Sequence, residues 1–218
     1  MANSSKANEA QINEVLNELA EKIRDYSWVK KNLVLQCISA TNNAELLKEV
    51  PYVLKEDLAF VVRLNVTNNA SLLIRNFMFY AMGVDKDTLF KDAIALSKEK
   101  HPMKILTFSE ILGFAPEESP NMLICATKSE QGIYGKYGAS VLLYPEFVKK
   151  AREACKGDFY ILPSSMHEII LVKYDERIDK RFLQEVVKNV NIEEVEPQDR
   201  LTDSIYLCKD NDSFYKIM

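Results

Sequence analysis

Residues 57–74 read DLAFVVRLNVTNNASLLI, and they carry the clearest secondary-structure signal in the chain. Leu58, Phe60, Val62, Leu64 and Val66 fall on one face, and Ala59, Val61, Arg63 and Asn65 on the other. That period of two is the mark of a strand. Thr67-Asn68-Asn69 reads as a tight turn into a second strand over Ser71 to Ile74, so the stretch predicts an antiparallel hairpin. Towards the N-terminus, Leu33 to Ile38 is short and β-branched enough for another strand, and Asn42 or Asn43 opens a short helix through Val50, stopped by Pro51. Further upstream, Ile12, Val15, Leu16, Leu19, Ile23 and Tyr26 repeat every three or four residues. They predict an amphipathic helix, with Asn8 and Gln11 as its capping box, whose stripe packs on the protein itself or, as the alternative, on a partner. Trp28 behind it reads as a packing anchor.

Towards the C-terminus the pattern changes to helix. Asn76 caps a short helix that ends at Gly83. Asp85 caps a longer one with Leu89, Phe90, Ala93, Ile94 and Ser97 on one face, which stops at His101-Pro102 because a residue before proline is pushed out of the helical region. Strands are predicted at 104–108 and 121–127 around a loop with Pro116 and Pro120. A helix with Pro145 in its first turn runs to Cys155, with Gly157 as its C-terminal cap. Strands follow at Phe159–Pro163 and Glu168–Val172. Asp175 or Glu176 opens a helix striped by Ile178, Phe182, Val186, Val187 and Val190, and 205–208 with 214–217 form a final hairpin. The fold class is therefore α+β, antiparallel sheets with helices packed on one side. Residues 33–100 and 121–190 share the order strand, helix, strand, strand, helix, and the middle strands start alike at Asp57 and Asp158. This predicts two similar lobes, 1–102 (with the N-terminal helix) and 103–218, with one compact domain as the alternative.

Composition narrows the class. The chain has 218 residues, 47% of them hydrophobic, with 6 Gly and 7 Pro, which excludes collagen-like, low-complexity and generally disordered chains. No stretch approaches a membrane span, and MANSSKANEA has no basic-then-apolar leader. Net charge is −4; the cluster Lys149, Lys150, Arg152 and Lys156 is offset by the acidic run Glu193, Glu194, Glu196 and Asp199, so no nucleic-acid partner is expected. Cys37, Cys125, Cys155 and Cys208 lie far apart and only two His occur. No metal site is expected, and the cysteines read as buried free thiols of a cytoplasmic protein. Asn3, Asn65, Asn69 and Asn211 begin N-x-[ST] triplets that mean nothing without export.

Two segments carry chemistry. QGIYGKYG (131–138) has glycines three apart, which fits neither a P-loop nor the dinucleotide fingerprint. A loop with aromatic tips remains, and Tyr134, Lys136 and Tyr137 are its candidate binding residues, since tyrosine gives contact area at low entropic cost. LPSSMHEI (162–169) gathers Ser164, Ser165, His167 and Glu168. A hydrolase-like reading takes His167 as base for Ser164 or Ser165, with Glu168 nearby. The competing reading is a hairpin turn whose hydroxyls bond their own backbone. Asp210-Asn211-Asp212 lacks the Gly and Glu of a calcium loop.

Three stretches taken together, RNFMFYAMGVDKDTLFKDAIALSKE (75–99), ICATKSEQGIYGKYGASVLLYPEFVKKA (124–151) and GDFYILPSSMHEIILV (157–172) followed by LTDSIYLC (201–208), resemble an uncharacterised bacterial domain-of-unknown-function family of Gram-positive anaerobes with a DFYILPSS-x-HE core, remotely similar to YtpQ-like proteins. The resemblance implies no activity, substrate or cofactor. The function expected from the residues is a cytoplasmic, non-catalytic protein-binding or regulatory module, such as a mobile-element accessory or inhibitor, with a protein partner and no cofactor, nucleic acid or membrane. The alternatives are the His167 hydrolase and a small-molecule sensor with its ligand between the lobes.

Overall fold

Strand β3 (Leu58–Asn65) is the hub of a first sheet, with β1 (Leu33–Ser39) on one side and β2 (Tyr52–Lys55) and β4 (Ser71–Leu73) on the other, all antiparallel. The computed structural model describes residues 14, 17–67, 70–107, 109–110, 122–128, 136–163, 165–210 and 213–218. Leu58, Phe60, Val62 and Leu64 point into the main apolar core with Leu33, Leu35 and Cys37 of β1. Ala59 and Val61 face a smaller cluster with Ile38, Leu47 and Val50. Both faces of the strand are thus covered, which is why its apolar residues run almost without interruption until Arg63. The turn residues Asn68 and Asn69 lie outside the described residues; beside them Val66 N–H donates to Ala70 O at 2.9 Å.

Strand β2 is an addition to the sequence reading. It starts directly after Pro51, and the chain turns back into β3 over Glu56 and Asp57, with Glu56 left-handed at φ 56°. The helix expected from Asn43 through Val50 is only α2 (Ala44–Leu47), after α1 (Tyr26–Val29). Asn43 does not cap it; its side-chain amide donates to Ser39 O at 2.9 Å. Upstream, residues 17–24 are helical, and Leu19, Ile23, Tyr26 and Trp28 pack against the main core. That part of the N-terminal stripe folds back on the protein, while Ile12, Val15, Leu16 and the Asn8–Gln11 cap lie outside the described residues.

Helix α3 (Asn76–Met82) ends on Gly83 in the left-handed region, φ 67°. Helix α4 (Lys86–Lys100) starts under the Asp85 carboxylate, which accepts from Thr88 N–H at 2.7 Å, and buries Leu89, Phe90, Ala93 and Ser97. Ser97 Oγ accepts from Leu35 N–H at 3.0 Å and so ties α4 to β1.

The second sheet has the order β10-β9-β7-β8-β6-β5, again antiparallel throughout. Its strands are β5 (Met103–Thr107), β6 (Met122–Thr127), β7 (Phe159–Leu162), β8 (Glu168–Lys173), β9 (Tyr206–Cys208) and β10 (Tyr215–Lys216). Phe159, Ile161, Ile169 and Leu171 enter the same main core as β1 and β3, together with Phe147 and Ala151 of α5 (Phe147–Cys155). Tyr160, Leu162 and Val172 face away from it, under α6 (Lys180–Glu193). The left-handed residue ending α5 is Lys156, φ 57°, rather than Gly157, which follows it at φ 143°.

Helix α6 begins later than expected. Its N-cap is Asp179, accepting from Arg181 N–H at 2.9 Å, while Asp175 is occupied by the backbone and guanidinium of Arg177. The buried stripe is accordingly Leu183, Val187 and Asn191, and Phe182 is 64% exposed.

The strand correspondence suggested by Asp57 and Asp158 does not hold, because β3 lies beside β1 whereas β7 lies two strands from β6. Once β2 is counted, a shifted correspondence appears: β1-β3-β2 and β6-β8-β7 have the same order and the same antiparallel sense. Asp57, at the β2–β3 turn, joins this first sheet to the C-terminal strands. Its carboxylate accepts from Tyr206 OH, Thr202 Oγ1 (2.9 Å), Ser204 Oγ (2.9 Å) and Lys216 Nζ (3.0 Å). Burial alone would raise this carboxyl, but those four donors outweigh it and hold it at about 2.

Candidate functional site

The 3-10 helix Gly138–Leu143 is almost wholly buried and sits against the tip of the β7–β8 hairpin. The fit requires glycine, since a Cβ on Gly138 would stand 2.0 Å from His167 O and 3.1 Å from Thr127 N. Ala139 N–H donates to Met166 O at 3.1 Å and locks the two segments together. This docking sets Tyr137, itself left-handed at φ 65°, beside His167. The rings stack at 6.2 Å between centroids and 22° between planes. On the tyrosine ring lies the guanidinium of Arg63 from β3, 5.9 Å from the centroid.

His167 is engaged at both nitrogens. Nδ1 accepts from Tyr137 N–H at 3.4 Å, and Nε2 stands 3.4 Å from Asp199 Oδ2. Ser165 is buried, and its hydroxyl accepts from His167 N–H at 3.0 Å, so its oxygen closes the turn. The hairpin tip is also stitched to the segment after α6: Ser165 bridges Arg200, and Met166 N–H donates to Asp199 O at 2.8 Å. Glu168 opens β8 opposite Ala126. Lys136 is exposed at the head of the 3-10 helix. Tyr134 and Ser164 lie outside the described residues.

Behind the hairpin tip is a cavity of about 130 Å³ between the outer face of the first sheet and residues 198–201. Gln36 Nε2 donates to Met166 Sδ at 3.3 Å, and Arg63 Nη1 donates to Gln36 Oε1 at 3.3 Å, so a polar chain runs from the hairpin tip into the cavity wall. Sequence reasoning named Tyr137, Ser165 and His167 but missed Arg63, Gln36, Asp199 and Arg200. Asp199 was counted with a solvated acidic run; Glu193, Glu194 and Glu196 are exposed, but Asp199 is half-buried and turned to His167.

All four cysteines are buried thiols outside any disulfide. Burial pushes the Cys37 and Cys125 thiols up, and that of Cys155 to about 11, away from the thiolate form that nucleophilic chemistry needs. Among the described residues no group of three or more His, Cys, Asp or Glu is placed to hold a metal ion, and no helix is long and apolar enough to cross a membrane.

The protein is an α+β chain in which Ser165 and His167 are bonded into the junction between the hairpin tip and the 3-10 helix. The chain belongs to the DUF5688 family, a family of unknown function, which it matches over residues 4–209. No curated protein and no solved structure matches it.

Proposed function

We propose that the chain is a non-catalytic binding or regulatory module acting in the cytoplasm, with Tyr137 and the neighbouring Lys136 and Tyr134 on its partner-facing surface. The observation that carries this reading is the state of His167. With Nδ1 accepting from Tyr137 N–H and Nε2 beside Asp199, both imidazole nitrogens face groups other than a hydroxyl among the described residues. The buried hydroxyl of Ser165 is itself bonded to the backbone. Such a histidine is a clasp that fixes the Tyr137 ring. The His167 hydrolase is the weaker reading on the same ground.

The test is affinity capture from cytoplasmic lysate with the full chain, wild type against Tyr134→Ala/Tyr137→Ala and His167→Ala. A stoichiometric protein partner lost with the tyrosine pair is the expected result. Turnover of a simple ester, phosphate or nucleotide by the wild type, abolished in His167→Ala, would sink the proposal and revive the hydrolase.

A second reading, the small-molecule sensor, is favoured by the cavity behind Met166. Its wall is tied to the hairpin tip through Gln36 and Met166, so an occupant there has a physical route to the Tyr137–His167 pair. The expected sign is a shift of the Tyr137 and His167 amide signals when the cavity fills.

A further inference from the structure

Four of the seven arginines are half-buried: Arg63, Arg75, Arg152 and Arg200. Arg75 is paired with Glu49 and Arg152 with Asp158. Arg63 and Arg200 have no carboxylate partner among the described residues, and these two line the same cavity. Arg63 spends its donors on neutral acceptors: Nε on Ser71 Oγ (2.9 Å), Nη2 on Ser71 O (3.0 Å) and Nη1 on Gln36 Oε1 (3.3 Å). Arg200 donates from Nε to Val195 O at 2.9 Å and from Nη2 to Ile192 O at 3.5 Å. Its Nη1 has no partner among the described residues. The neighbouring carboxylate of Asp199 is directed at His167 instead. Two guanidinium groups drawn partly out of water, with no carboxylate bonded to them among the described residues, leave this wall positively charged.

The rest of the lining is different in kind. Ile38, Leu46, Val61 and Leu73 form an apolar floor, with Asn43 and Gln198 at the polar side. The volume, about 130 Å³, is close to that of an apolar cavity that takes up a benzene ring, roughly 150 Å³. We propose that the cavity binds a small organic carboxylate. Its carboxylate sits on the Arg63 and Arg200 wall, where the planar fork of a guanidinium matches two carboxylate oxygens. Its short aliphatic body lies on Ile38, Leu46, Val61 and Leu73. The inference deepens the sensor reading and rests on it for its consequence; the binding step stands apart.

The experiment titrates the full chain with hexanoate and isovalerate, and with 1-hexanol and inorganic phosphate for comparison, by calorimetry and by amide NMR. Both carboxylates bind saturably, and 1-hexanol binds weaker by about tenfold or more, the loss of one charge-assisted contact. Arg200→Gln weakens the carboxylates by a similar factor. Arg63→Lys, which keeps the charge but loses the fork, does so as well, with thermal melting confirming that each variant is folded. Arg63 also braces β4 through Ser71, so Arg200→Gln decides the matter if the Arg63 variant fails to fold. Absence of saturable carboxylate binding, binding of phosphate alone, equal binding of 1-hexanol, or unchanged affinity in folded Arg200→Gln overturns the proposal. Carboxylate binding that leaves the Tyr137 and His167 amides unmoved overturns the sensor reading alone.

Discussion

Gly138→Ala is expected to be among the most disruptive one-carbon changes available in this protein. The added Cβ would lie 2.0 Å from His167 O and 3.0 Å from His167 C. To reach the 3.4 Å at which ordinary contact begins, one backbone must retreat by about 1.4 Å. Neither is free to do so. The 3-10 helix is held by Ala139 N–H on Met166 O, and the hairpin tip by Met166 N–H on Asp199 O. Overpacking a close-fitted interior costs about 1–3 kcal/mol, and a clash between two tethered backbones belongs at the upper end. At about 2–4 °C per kcal/mol for a chain of this size, 3 kcal/mol lowers Tm by roughly 6–12 °C. Gly83→Ala is the control: nothing lies within 4 Å of its Cβ, and only the left-handed φ of +67° is strained, a cost of about 1 kcal/mol. Urea unfolding followed by circular dichroism, run in parallel on both variants and the wild type, gives the ranking. A Gly138→Ala midpoint within error of wild type, or above that of Gly83→Ala, would refute the close approach and with it the placement of Tyr137 against His167.

Two further changes test the frame around the site. The Asp57 carboxyl is depressed to about 2 from its ordinary 3.8, so its ionised form contributes stability that is complete above about pH 4 and is lost as pH falls towards 2, at most about 2 kcal/mol. Asp57→Asn should flatten the pH dependence of the urea midpoint in that window, and parallel slopes for variant and wild type would count against the Tyr206–Ser204–Thr202–Lys216 shell. On α6, Leu183→Ala should cost about 2–4 kcal/mol and Phe182→Ser no more than about 0.5 kcal/mol; the reverse ranking in chemical denaturation would restore the earlier helix start.

How legible these features are in the sequence depends on how local their causes are. The β3–β4 hairpin, the Asp85 cap of α4 and the terminal hairpin are set by neighbours in sequence, through alternation, a capping carboxylate and a turn, and all three are found where they were read. Strand β2 escaped because four residues between Pro51 and a two-residue turn show almost no period, and its pairing partner β3 supplies most of the reason it is a strand. The start of α6 was misplaced because two aspartates compete. Asp175 captures Arg177, and only Asp179 has a free helix end to cap. Tyr137 and His167 were legible as unusual side chains in loaded segments. Their partners were not, since Arg63, Asp199 and Arg200 come from other parts of the chain and meet them through sheet topology and the return of the chain after α6.

The segment DFYILPSSMHE draws attention by its density of hydroxyls, imidazole and carboxylate, yet its residues can be accounted for largely by construction. Phe159 and Ile161 fill the core shared by the two sheets, while Tyr160 and Leu162 pack beneath α6. Ser165 closes the turn on the His167 amide, and His167 clasps Tyr137 on one side and faces Asp199 on the other. These contacts build His167 into the junction between the hairpin tip, the 3-10 helix and the segment after α6. Arg63 and Arg200 are two half-buried cations that line one cavity. Each has neutral acceptors that anchor its stem, and among the described residues neither has a carboxylate partner such as Arg75 and Arg152 both possess. On the carboxylate-binding proposal, the Arg63 and Arg200 wall of the cavity, rather than the most reactive-looking motif, is where this fold meets a ligand.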